Sequence, residues 1–246
     1  MPRQQVDLVN GEVYHICYRA VGDSLLFKDQ NDYYRGIFSL YELNNTIPVL
    51  ISIRRRDRIV EKKREKLYDV GGHTLLEKDD RDLLVDILAF CFMPNHLHLL
   101  LRQTKDGGIT KFMKKVGGGY AGYFNRKYRR KGHLFNQFKA IHVKDDNQLK
   151  NVITYIHCNP ISLVQPKWKD EGISNPVKVV DFLDKEYRWS SLWDYNEKPN
   201  FASVTKRDFL LELLGAEEMR RNMNDWIQYK HEVNDAFNEY SNLFIE

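Results

Sequence analysis

"VDILAFCFMPNHLHLLLRQ" occupies residues 85–103, and its reading decides the fold. Residues 85–93 are apolar on both faces, as a central strand requires. Met93, Pro94 and Asn95 bring turn chemistry, and "HLHLLLRQ" (96–103) resumes as a strand, so the two halves read as a hairpin. Side chains on a strand alternate between faces. His96 and His98 therefore share one face, and Leu97 and Leu99 the other. Two adjacent imidazoles can share a metal ion. They can equally be half-buried histidines near the end of a core strand, and a motif this short waits on its context.

The segments on either side supply that context. "EVYHICYRA" (12–20) alternates and is rich in aromatic and β-branched residues, which predicts a strand. "NDYYRGIFSLYELNN" (31–45) places Tyr34, Ile37, Phe38 and Tyr41 at helical spacing. After the hairpin, residues 107–132 predict a helix with Phe112, Val116, Tyr120, Tyr123 and Phe124 on one side, weakened in its middle by Gly117–Gly119. A strand follows at 134–143, then a helix at 145–160 with Asp145 or Asp146 as N-cap and Pro160 near its end. The order strand, helix, strand, strand, helix, strand is the ferredoxin-like βαββαβ pattern. The expected class is α+β, an antiparallel sheet backed by helices, with one added helix and a C-terminal helical extension.

Two regions stand outside that pattern. The charged segment 46–84 reads as an insertion; eight Lys or Arg against three acids lie between Arg54 and Lys66. Its first half fits a solvated helix ended by Gly71-Gly72. Residues 165–246 read as the extension: a connecting segment, the aromatic "YRWSSLWDY" (187–195), a helix at 203–215 with a capping signature, and a last amphipathic helix at 217–240. The expected division is thus 1–164 and 165–246.

The totals set outer limits. Of 246 residues, 42% are hydrophobic and 29% charged, ordinary for a soluble globular chain. The net charge of +4 is too small to demonstrate a nucleic-acid partner. Cys17, Cys91 and Cys158 form neither a zinc spacing nor a disulfide framework, which suits a reducing cytosol. With no signal peptide and no bilayer-spanning stretch, the expected location is cytoplasmic, without a membrane.

The helix at 145–160 carries the candidate chemistry. Tyr155 and Asn159 are four apart and stack on one face. A tyrosine hydroxyl can attack as a nucleophile, and an asparagine oxygen can complete a metal site begun by two imidazoles. Taken singly, each has a plain structural reading: a core tyrosine and a helix-end residue before proline. On the helix at 107–132, Lys111, Lys114, Lys115, Arg126, Lys127, Arg129, Arg130 and Lys131 suit phosphates. Tyr120 and Tyr128 suit stacking on unpaired bases if exposed, while Tyr123 and Phe124 are expected in the core. His15 has two readings, a group that supports the site from behind and an ordinary core histidine, of which the second is expected; Cys158 is expected to be a packing residue.

Together, "AFCFMPNHLHLLL", "YAGYFNRKYRRKGHLFNQFKA" and "YIHCNPISLV" resemble the single-tyrosine HUH transposases, and most closely the REP-associated tyrosine transposases. The resemblance runs over about 12–164, and "RWSS" (188–191) is similar to a feature of the family's tail. The insertion at 46–84 and the extension from about 197 depart from the pattern, which leaves DNA-site specificity and oligomeric state open. The resemblance implies that His96, His98 and Asn159 bind Mg²⁺ or Mn²⁺. It implies that Tyr155 forms a covalent phosphotyrosine on single-stranded or hairpin DNA, leaving a 3′ hydroxyl and permitting strand transfer. Two alternatives remain beside it: a domesticated hairpin-binding protein with little or no cleavage, and an unrelated zinc hydrolase needing a further His, Asp or Glu ligand. Insertion-sequence members are dimers and domesticated ones need not be, so a homodimer stays open.

Overall fold

The computed structural model describes residues 7–51, 53–54, 56–57, 59–60, 79, 81–228 and 243–245. The sheet elements follow the expected order: β1 (Val13–Arg19), α1 (Gln30–Leu43), β2 (Val85–Met93), β3 (His96–Gln103), α2 (Gly108–Lys127) and β4 (Lys139–Val143). α3 (Asp146–Cys158) is the added helix. The strands lie in the order β2-β3-β1-β4, and each neighbouring pair is antiparallel. This is the ferredoxin-like α+β arrangement expected from the hairpin outward.

The turn of that hairpin is clamped from outside. Leu26 and Phe27 N–H both donate to the Pro94 carbonyl at 2.7 and 3.2 Å, and Ala20 N–H donates to that of Asn95 at 2.9 Å. These bonds satisfy carbonyls that a bare turn would leave to water. They also hold the start of β3, and hence His96, against the end of β1.

Each face of the sheet has its own core. On one, Ile16, Phe90, Leu97, Leu99 and Leu101 pack with Leu40 of α1 and Phe112 and Tyr120 of α2. On the other, Ala89, Cys91, Leu100 and Val143 pack with Val152, Ile153 and Ile156 of α3. Residues beyond 165, among them Trp168, Leu192, Leu210 and Trp226, join this second core. The glycines do not break α2, which runs through all three. A Cβ on Gly117 would lie 2.2 Å from Tyr18 Oη, and one on Gly119 2.9 Å from Leu43 Cδ1. Their absence of side chain lets α2 close onto β1 and α1.

Several boundaries differ from the sequence reading. The strand expected at 134–143 is regular only from Lys139; before it, Phe135 makes an isolated bridge to Ala20. The helix expected at 203–215 is α4 (Asp208–Leu214), with Arg207 at its N-cap and no side-chain cap bond. Residues Ala202–Val204 form a 3₁₀ turn instead, so the capping signature there is corrected. The last helix is described as α5 (Ala216–Gln228); its expected continuation to 240 lies outside the described residues, as do Gly71-Gly72 and most of the 46–84 insertion.

The outer edge of β2 is sealed by chain from elsewhere. Phe92 N–H donates to the Trp189 carbonyl at 2.9 Å, and Ser191 N–H donates to that of Phe90 at 3.0 Å. Phe90 N–H donates to Ser191 Oγ at 3.0 Å, Tyr195 Oη to the Leu88 carbonyl at 2.6 Å, and Tyr187 Oη to that of Phe92. Lys206 N–H takes the Ile87 carbonyl at 2.9 Å, and Asn44 Nδ2 that of Val85 at 2.8 Å. The "RWSS" stretch thus serves as an edge cover.

Candidate active site

The sheet register sets out one side of the site. His98 lies between Cys17 and Cys91, and His96 between Arg19 and Met93, all on the face that α3 covers. α3 begins cleanly because Asp145 accepts a bond from Gln148 N–H at 2.8 Å. Its helical course continues past Cys158 into the 3₁₀ turn Asn159–Leu163, and Asn159 keeps helical angles (φ −53°, ψ −38°). The four-residue spacing therefore holds, and the structure brings His96, His98, Tyr155 and Asn159 together. The Tyr155 and His98 rings are 5.5 Å apart, and Asn159 Nδ2 is 3.0 Å from His98 Nε2.

The histidine nitrogens are unequally partnered. His96 Nδ1 is 2.7 Å from Asn95 Oδ1, which can only accept, so Nδ1 carries the proton. His96 Nε2 is then left with a lone pair, buried and, among the described residues, without a partner. An orphaned buried acceptor of this kind calls for an explanation, and a cation supplies one. Burial holds His96 near pKa 3, with Arg19 and Lys169 adding to the shift. Burial, then the neighbouring imidazoles and cations, also lowers His98. Both are neutral at physiological pH, the state that a metal ligand requires. Among the described residues no cluster of three His, Cys, Asp or Glu forms a further metal site. The zinc-hydrolase alternative thus finds no such ligand set there.

Tyr155 is fully buried. Burial raises its hydroxyl above the ordinary tyrosine value, and Cys17 adds to this, while a hydrogen bond from Asn159 and the charge of Arg19 oppose it. Lys169 Nζ donates to Tyr155 Oη at 3.3 Å and sits 4.9 Å from its ring centroid. Phe244 stacks on the tyrosine ring, with centroids 4.5 Å apart and planes at 20°. Lys169, Arg19 and Phe244 are absent from the sequence reading. Arg19 was legible, since it alternates with Cys17 on a predicted strand. Lys169 sits in what reads as connecting chain, and nothing local marks it.

His15 is buried in the core, but it also contacts the site, the less expected of its two readings. Its Nε2 lies 3.0 Å from His98 Nδ1, and its Nδ1 lies 2.6 Å from the Leu243 carbonyl. Burial lowers it to about pKa 4, partly offset by the bond to Leu243.

α2 ends at Lys127, short of the expected 132, so Arg129, Arg130 and Lys131 lie beyond it, and the basic residues of this stretch divide into two sets. Lys114, Arg126, Arg129 and Lys131 are exposed and free to meet phosphates, while Lys111, also exposed, donates to the Asp106 carbonyl at 3.1 Å. Lys115 instead donates to the carbonyls of Asn45 and Ile47, and Arg130 to that of His133 at 2.8 Å. Lys127 pairs with Asp29 and Asp32, both at 2.7 Å. Tyr120 is corrected outright: it is buried, with Oη donating to the Leu26 carbonyl at 2.6 Å, so it cannot stack a base. Tyr128 is half-buried and donates to Asp32 at 2.7 Å. α2 and the histidine pair occupy opposite faces of the sheet. A strand held by both would pass round a sheet edge.

No helix among the described residues is long and apolar enough to cross a membrane. The sequence model of the IS200-like transposases matches residues 43–159. A solved structure of a REP-associated tyrosine transposase bound to a REP hairpin is similar at 12% identity and a TM-score of 0.46. That likeness covers 80% of this chain and 87% of the other. No curated protein matches the chain. The matched stretch, residues 43–159, holds the histidine pair, Tyr155 and Asn159, and over it the chain is similar to the IS200-like transposases.

Proposed function

We propose that the protein cleaves and rejoins single-stranded or hairpin DNA through a covalent phosphotyrosine at Tyr155. The observation that carries this reading is the buried Nε2 of His96, unpartnered among the described residues, beside His98 and Asn159, one helical turn from a tyrosine hydroxyl. His96 Nε2, His98 Nε2 and the Asn159 amide oxygen are donors that fit a divalent ion, Mg²⁺ or Mn²⁺. When bound, such an ion supplies Lewis-acid charge at the scissile phosphate.

The chain's own groups do the rest. Tyr155 Oη attacks phosphorus and gives up its proton. The bond from phosphorus to the 3′ oxygen breaks, and that oxygen leaves as a 3′ hydroxyl, with the 5′ phosphate on the tyrosine. Attack by another 3′ hydroxyl reverses the step and joins strands without a nucleotide cofactor. Lys169 offsets the phenolate charge that burial disfavours. Lys114, Arg126, Arg129 and Lys131 hold the backbone.

One observation favours the alternative of hairpin binding with little cleavage: Tyr155 is covered by Phe244. Incubation with a labelled single-stranded hairpin and Mn²⁺ or Mg²⁺ decides between them. The expected result is a covalent protein–DNA band, lost in Tyr155→Phe with hairpin affinity kept. A wild-type protein that binds the hairpin and forms no band with either ion leaves only the binding role.

A further inference from the structure

We infer that His15 is a positioning residue that fixes the tautomer of His98, so that the Nε2 lone pair of His98 faces the site. The inference rests on the metal-site reading above, and it follows from the direction of three consecutive hydrogen bonds.

The chain of bonds starts at residue 243. The Leu243 carbonyl oxygen only accepts, so the proton of the His15 imidazole sits on Nδ1, across 2.6 Å. His15 is fully buried, and among the described residues its ring nitrogens face only that carbonyl and His98, with no carboxylate to support a charged ring. A neutral ring with its proton on Nδ1 has its lone pair on Nε2. His98 Nδ1, 3.0 Å away, must then be the donor. The lone pair of His98 is thereby placed on Nε2, where Asn159 Nδ2 meets it as a donor at 3.0 Å.

The competing arrangement shows what His15 prevents. If His98 carried its proton on Nε2, it would donate to a reversed Asn159 amide through Oδ1. Both candidate ligand atoms would then be spent on each other. His15 closes off that pairing by accepting from Nδ1. The two histidines are thus oriented by different neighbours, His96 by Asn95 and His98 by His15. Partners that orient a metal-binding histidine from behind are worth about 10–100-fold in metal affinity.

The test compares His15→Phe, which keeps a flat ring and removes the acceptor, with His15→Gln, whose amide oxygen can accept from His98 Nδ1. Mn²⁺ affinity is measured by the paramagnetic resonance of the free ion. His98 tautomer is read in the metal-free protein from long-range ¹H–¹⁵N correlations. His15→Phe should bind Mn²⁺ about 10–100-fold more weakly and carry the His98 proton on Nε2. His15→Gln should restore both to within a few-fold of wild type. Wild-type affinity and an unchanged tautomer in His15→Phe overturn the inference. So does wild-type protein with its His98 proton on Nε2, a measurement that needs no variant to fold. His98→Ala separates the two readings: unchanged Mn²⁺ binding there sinks the metal site itself, whatever His15 does.

Discussion

Phe244 lies flat against Tyr155, far apart in sequence and 4.5 Å apart between ring centres. The hydroxyl assigned the attack is therefore enclosed by a residue that has no part in the chemistry. A stacked aromatic pair contributes about 0.5–1.5 kcal/mol beyond its area burial. Phe244→Ala should lower the melting temperature by a few degrees and open Tyr155 to nitration, located by peptide mass spectrometry. Unchanged nitration of Tyr155 would mean that other groups enclose it.

Lys169 offers a second handle. It is a cation in hydrogen-bond contact with Tyr155 Oη, and a charge-assisted bond to a phenolate is stronger than one to the neutral phenol. Lys169→Met should slow adduct formation about 10-fold or more while leaving Mn²⁺ affinity in place. Lys169→Arg should recover part of the rate. Equal rates in wild type and Lys169→Met would remove the lysine from the mechanism.

Salt dependence separates the two sets of basic residues on α2. Removing one true phosphate contact should reduce the slope of log K against log salt by about 0.7 for single-stranded DNA. Lys114→Gln and Arg126→Gln should each do so. Lys115→Gln should leave the slope alone and lower stability, because its ammonium is spent on the Asn45 and Ile47 carbonyls. A slope change in Lys115→Gln matching the other two would refute this division.

Acid should unfold the metal-free protein early. His157 is buried, with Nε2 2.9 Å from Ser191 Oγ, and burial lowers it from 6.5 to about 3. His15 and His96 move the same way, to about 4 and about 3. As pH falls below 6.5, the unfolded chain takes up protons that the folded one refuses. The stabilisation is therefore full above 6.5 and lost as pH falls toward 3, at about 1.4 kcal/mol per pH unit per group. The urea midpoint should drop steeply below pH 6.5, and His157→Gln should flatten that slope. A midpoint flat from pH 7 to 4 would show that the buried histidines gain protons without penalty.

The sheet and the four convergent residues were legible because both rest on short periodicities. A two-residue repeat put His96 and His98 on one face, and a four-residue repeat paired Tyr155 with Asn159. What the sequence hid lies across long separations. His15 meets His98 through strand register, Lys169 reaches Tyr155 from an irregular segment, and Phe244 arrives from 89 positions away. Tyr120 misled for a related reason: its helical spacing is the same whether the ring faces solvent or core. Only the partner of its hydroxyl, the Leu26 carbonyl, distinguishes the two.

The cover along β2 bears on how copies of this chain meet. A bare outer strand is a template for another, and proteins that leave one exposed are prone to join sheet to sheet. Here the carbonyls of Val85, Ile87, Leu88, Phe90 and Phe92 are already taken by Asn44, Lys206, Tyr195, Ser191 and Tyr187. Self-association that extends the sheet is thus confined to the β4 side, where the strand is five residues long and mostly half-exposed. The "RWSS" stretch makes the molecule directional: one flank is closed to its own kind, and any continuous two-copy sheet must be built from the other.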